Sequence, residues 1–128
     1  MKKALLFILL IILCTGLVIG GLFWANKAKN TIYIYDPGEY FITNVNSGNK
    51  VLKTDIIIEF KNNSKKKFLN DNQYKIRDAI IFVLRSKSEN DLTSDNIKQT
   101  LSNEIIDKLN NEFGLNAVNL YFNEFIME

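Results

Sequence analysis

The sequence predicts an α+β (mixed α/β) domain carried behind one membrane-spanning helix. Three observations predict it. Ala4 to Ala25 holds no charged residue; three strand-like segments precede residue 62; and two stretches with apolar residues at the three-and-four spacing of helices lead into a β-rich end. The expected order after the anchor is β-β-β-α-α-β.

The apolar run comes first. About 20 residues rising 1.5 Å each cross a hydrocarbon layer of roughly 30 Å, so the expected division is a cytoplasmic head at 1–3, a transmembrane helix at 4–25, a short linker at 26–30 and the body at 31–128. A secretory signal peptide is the rival. Its apolar core runs to only about 7 to 15 residues and ends in small residues at a cleavage site. Here Val18-x-Gly20 is a poor match and Ala25 and Ala28 are misspaced, so the run is read as an uncleaved anchor. Cys14 follows the large Leu13, which disfavours lipid attachment, and is read as a membrane-buried apolar residue.

Within the run, Gly16 and Gly20 share a helix face and would let another helix approach closely. Glycine is common in such helices, so the spacing is either a packing seam or ordinary composition. Positive charge lies on both flanks: Lys2, Lys3 and the terminal amine on one side, Lys27 and Lys29 on the other. A short head before a long body fits an N-in topology with the body exported.

In the body, Thr31 to Tyr35 is β-branched and aromatic, and Asp36-Pro37-Gly38 turns the chain. A second strand is expected at Tyr40 to Val45, then a turn at Asn46-Ser47-Gly48-Asn49. Val51 to Lys61 alternates, with Leu52, Ile56, Ile58 and Phe60 opposite Lys53, Asp55, Glu59 and Lys61. The Lys65-Lys66-Lys67 run that follows is read as a solvated loop, with docking of acidic groups as the alternative.

From about Leu69 to Ser86 the pattern is helical, with Ile76, Ala79, Ile80, Val83 and Leu84 as the core stripe. Asp78, Ile81, Phe82 and Arg85 fall on the far side. Two large apolar groups between charges form either a polar-rimmed contact patch or a second packed layer, with Phe82 at the flank of the core. A second helix runs from Ser94 to Phe113, capped by Thr93 or Ser94, with Asp95 in its first turn. Ile97, Leu101, Ile105, Leu109 and Phe113 step along one face, and Gly114 stops the helix. The last strand alternates Val118, Leu120 and Phe122 against Asn119, Tyr121 and Asn123. It slips at Glu124-Phe125, through a bulge or burial on both faces.

Composition excludes much chemistry. The chain has no histidine and one cysteine, so the usual metal-ligand and general-base sets are missing. No catalytic, metal or cofactor residue is assigned, and an enzyme is not expected. With Lys2 and Lys3 set aside, the 16 basic residues fall to 14, equal to the 14 acidic ones. A neutral body gives no support for nucleic-acid binding.

Three segments carry a family resemblance: Ile76-Arg77-Asp78-Ala79-Ile80-Ile81, then Asp91-Leu92-Thr93-Ser94, then Leu120-Tyr121-Phe122-Asn123-Glu124-Phe125-Ile126. In this order they resemble the flagellar basal-body-associated FliL proteins. The resemblance implies a single-pass inner-membrane protein of the bacterial flagellum basal body with a periplasmic, stomatin-like (SPFH-type) domain. It also implies assembly into a ring or arc of copies around the MotA–MotB stator units, in support of motility and chemotaxis. The short head, short linker and terminal Glu128 depart from the family's pattern.

The expected function is therefore a non-enzymatic motor accessory. Asp78, Ile81, Phe82 and Arg85 are its candidate side contacts, and Gly16 and Gly20 its candidate packing residues within the membrane. The alternative is a general stomatin-like membrane scaffold or envelope sensor unconnected to flagella.

Overall fold

A computed structural model describes residues 1–29, 31–46 and 48–128. They form two compact units, residues 1–31 and 32–128. Asn30 of the expected linker and Ser47 of the expected turn lie outside the described residues.

The first unit is helix α1, Lys2–Lys29, so residues 26–29 continue the helix beyond the charge-free run. Its stretch Lys2–Lys27 is long and apolar enough to cross a membrane. The apolar side chains point in every direction and are exposed, the pattern of a helix that needs an apolar surround. The hydroxyl of Thr15 donates to the carbonyls of Ile11 and Ile12, at 3.0 and 2.9 Å, so this polar group is satisfied within the helix.

The second unit is built on β3, Val51–Phe60, whose residues alternate between buried and half-buried along its whole length. β1, Tyr33–Tyr35, and β2, Phe41–Asn44, both pair antiparallel with it: Tyr35 sits opposite Ile58, and Phe41 opposite Thr54. β4, Ala117–Met127, pairs with β3 from Leu52 to Phe60. Since β4 fills one edge of β3, β1 and β2 share the other, and the loop between them leaves that edge and returns.

β4 corrects the expected alternation. Phe60 faces Ala117 but Glu59 faces Asn119; Ile56 faces Phe122 but Asp55 faces Glu124. Val118 and Asn123 are therefore extra residues, and each resets the face that follows. Val118 is exposed, although alternation from the sequence placed it with Leu120. The inward set becomes Ala117, Leu120, Phe122, Phe125 and Met127. The slip near Glu124 is thus a bulge one residue earlier. The Thr54 hydroxyl donates to the Glu124 carbonyl at 2.7 Å, fixing β4 just past it.

Four helices cover the inner face. The stretch expected as one helix from Leu69 to Ser86 is two: α2, Lys66–Asp71, and α3, Gln73–Arg85. Asn72 divides them. Its amide N–H and its side-chain amide both donate to the Phe68 carbonyl, at 2.9 and 3.0 Å, while its own carbonyl accepts from Lys75 and Ile76. Local side-chain bonding of this kind competes with continued helix. α2 also begins inside the lysine run, where a loop was expected. Lys67 pairs with Asp71 one turn on, and the Phe68 ring packs tilted against Phe113, centroids 6.0 Å apart.

The cap expected at Thr93 or Ser94 is also corrected. Ser88 caps α4, Glu89–Leu92: its hydroxyl accepts from the Asp91 amide while Asp91 accepts from the Ser88 amide at 2.9 Å. The Ser88 amide and then the Ser88 hydroxyl, which donates to the same carboxylate at 2.8 Å, hold the Asp91 carboxyl below its ordinary pKa. The hydroxyls of Thr93 and Ser94 donate backward, to carbonyls of Glu89, Asn90 and Asp91, so they close α4 rather than open the next helix. α5 runs Ile97–Phe113 and ends at Gly114, whose left-handed φ of 60° suits glycine.

One apolar core joins the sheet to the helices, with Leu52, Ile56, Ile58, Phe60, Ile76, Ile80, Leu101 and Ile105 wholly buried. α5 lies along β4, and α3 lies against α5 and β2. Asn110 on α5 exchanges two hydrogen bonds of 2.9 Å with the backbone of Ala117, which sets where β4 starts.

Candidate functional site

The candidate contact patch is the outer face of α3, and its placement follows from what holds α3 down. Ile76, Ala79, Ile80, Val83 and Leu84 are all buried, which turns the opposite side outward. At about 100° per residue, Asp78 and Arg85 lie within about 20° of each other on the line facing away from that stripe. Ile81 and Phe82 flank the line at about 50° on either side. The four expected residues are thus brought together, lining with Ser86 a shallow depression of about 390 Å³.

They are not equally free. Phe82 is 68% exposed, whereas Ile81 is half-buried and touches the edge of the core. The Lys108 ammonium of α5 lies 4.4 Å from the Phe82 ring centroid and pairs with Glu112 at 2.9 Å. Among the described residues, Asp78 and Arg85 form no ion pair or hydrogen bond through their side chains.

Tyr74, also 68% exposed, stands one turn before Asp78 on the same strip and extends the patch. The sequence reading passed over it, although its spacing of four from Asp78 and eight from Phe82 was the available signal.

Arg77 is the second residue passed over. It sits between the core stripe and the outer line and reaches the loop that leaves the sheet between β1 and β2. Its guanidinium donates to the carbonyls of Pro37, Glu39 and Tyr40 at 3.2, 2.7 and 3.3 Å and lies 4.2 Å from the Phe41 ring centroid. Gln73 adds a bond to the Pro37 carbonyl at 2.8 Å. Gly38, at φ 105°, completes the fit, since a Cβ there would meet Gln73 Nε2 at 2.7 Å. Nothing in the sequence links Arg77 to residues some 40 positions away, so only the fold reveals this role.

On α1, a Cβ at Gly16 or Gly20 would meet nothing within 4 Å, so both glycines present open backbone. Cys14 is exposed on the same helix.

An apolar surface of Ile81 and Phe82 set between a carboxylate and a guanidinium that have no partner among the described residues is suited to holding another protein surface. Across the folded unit, from Ile34 in β1 to the end of β4, the sequence matches the family flagellar basal body-associated protein FliL, over residues 34–127. The chain belongs to the FliL family. No curated protein matches it. FliL membership makes this a flagellar motor-associated accessory protein of the basal body, from a family of structural rather than catalytic character. The FliL match contains all of α3 and leaves out α1, so the anchor rests on its own composition. That helix fits an inner-membrane anchor.

Proposed function

We propose that the chain is a non-enzymatic accessory that encloses the MotA–MotB stator units as a ring or arc of copies and supports their work in motility. Its head is cytoplasmic, α1 crosses the inner membrane once, and residues 31–128 form a periplasmic, stomatin-like (SPFH-type) domain. The observation that carries this reading is the FliL match over a unit whose outer helix exposes an aromatic patch between unpaired charges.

The physical argument is one of local concentration. Chains rooted in one membrane plane meet at far higher effective concentration than free ones, so modest side contacts suffice for assembly. Asp78, Ile81, Phe82 and Arg85 supply those contacts between bodies. Gly16 and Gly20 supply close helix approach within the membrane.

The test replaces Ile81 and Phe82 with Asp in the full chain and measures oligomer size and swimming. Loss of assembly and of motility from a folded protein is the expected result. Unchanged assembly would take this face out of the contact.

A further inference from the structure

Four lysines gather at one end of the sheet. Lys61 follows Phe60, the last residue of β3, and Lys65, Lys66 and Lys67 lead into α2. That end is also where β1 begins, because Tyr33 pairs with Phe60 and the Lys66 ammonium lies 5.8 Å from the Tyr33 ring centroid. Lys67 is taken up by Asp71, whereas Lys61, Lys65 and Lys66 have no carboxylate partner among the described residues. Residues 1–35, 60–70 and 113–118 contain no acidic residue. The carboxylates that flank these segments, Glu59 and Glu112, already hold Asn119 with Tyr121, and Lys108.

Elsewhere the balance reverses. Of the 16 basic residues, Lys2, Lys3, Lys27 and Lys29 precede residue 30 and four more are the lysines of this end; the other eight stand against all 14 acidic residues. The folded unit is therefore polarised, positive where β1 starts and negative over the remainder.

The chain itself ties the positive end to the anchor. Only residues 30–32 separate the last residue of α1 from the first of β1, so Tyr33 lies no more than about 14 Å from Lys29 in any arrangement of the two units. Residues 26–29 rise about 6 Å past the charge-free run, roughly the depth of one headgroup layer. Charges in solution are screened over about 8 Å at physiological ionic strength, a distance comparable with the tether.

We infer that the lysine end of the folded unit docks on anionic phospholipid headgroups. This rests on the membrane anchor proposed above and adds a contact that α3 does not make. Lipid is favoured over an acidic protein because the tether keeps a membrane surface within reach of these lysines at all times. An anionic bilayer attracts this end and repels the acidic remainder, so the contact orients the body as well as holding it. Copies held the same way up present their α3 faces at one height, as a ring or arc requires.

The experiment uses the full chain with Cys14→Ser and a donor dye on Asn63→Cys, reconstituted in vesicles with acceptor-labelled headgroups. One set of vesicles is wholly zwitterionic, and in the other about a third of the lipid is phosphatidylglycerol. Transfer should be greater over the anionic bilayer and should fall to the zwitterionic level in 1 M salt, where screening shortens to about 3 Å. Lys61→Gln, Lys65→Gln and Lys66→Gln together should lower the ratio of docked to free bodies about a hundredfold, at roughly fivefold per lysine. Arg at the same three positions should preserve docking. Slow amide exchange in β3 and α5 shows that each variant is folded, and the comparison of lipids and salt needs no change to the lysines.

Equal transfer over both bilayers, which is also the result if the lysines serve an acidic protein, would overturn the lipid contact. Full docking by the folded Gln variant would do the same. Chains that do not float with the vesicles would instead overturn the anchor.

Discussion

α3 and α5 are the two long helices of the folded unit, and they use their surfaces differently. α5 buries Ile97, Leu101, Ile105 and Leu109 on one side and exposes no large apolar residue on the other. α3 buries an equally apolar stripe yet exposes Tyr74 and Phe82 on its far side. A soluble domain is stabilised by the first arrangement and gains nothing from the second, since exposed aromatic area stays in water. The difference separates a helix spent on folding from one that folds and also presents a surface.

Substitutions in the two helices can break or sharpen that contrast. Leu101→Ala in α5 removes a wholly buried side chain and should lower stability by about 3 kcal/mol, read as a reduced urea midpoint. Arg77→Ala in α3 strips hydrogen bonds from the loop carbonyls of Pro37, Glu39 and Tyr40. A loss of about 2 kcal/mol is expected, with faster hydrogen exchange around residues 36–40. Arg77→Lys should recover little of it, because an ammonium lacks the planar fork that spans several carbonyls.

A smaller effect attaches to α4, the short helix leading into α5. The Asp91 pKa is depressed in the folded protein, chiefly by the Ser88 backbone amide and then by its hydroxyl. The contribution is therefore present in full above the unfolded aspartate pKa. It fades as pH falls from there through the folded value. Acid titration of unfolding should show this component in the wild type, and Asp91→Asn should remove it. A pH profile identical in the two proteins would contradict the capping box. Smallest of all, Phe82→Ala on the outer face of α3 should change stability by within about 0.5 kcal/mol while reducing assembly. A loss as large as that of Leu101→Ala would show that Phe82 belongs to the core and that the two helices are alike.

Much of this was legible in the chain, for identifiable reasons. The stripes of α3 and α5 follow from helical periodicity, and the inward residues of β3 from strict alternation. The four residues of the patch fall out of the same periodicity, because whatever opposes a buried stripe faces outward. Tyr74 obeyed that rule too and lay inside the single helix expected from Leu69 to Ser86, but the strip was followed no further back than Asp78.

The misreadings share a cause. Asn72, Val118, Asn123 and Ser94 each act through a hydrogen bond or a register fixed by neighbours, which periodicity does not register. A side-chain oxygen serves equally well at the start of one helix or the end of the last, so Ser94 was open to both uses until α4 existed to claim it.

Taken alone, the sequence determined the apolar helix, the alternation of β3, the two helical stripes and the neutral, histidine-free chemistry, because each depends on the order of residue types along the chain. Only the tertiary structure decided the double bulge of β4, the hold of Arg77 on a distant loop and the lack of a partner for Asp78 and Arg85 among the described residues. Those depend on which groups meet in space, and such meetings are set by packing between segments far apart in the sequence.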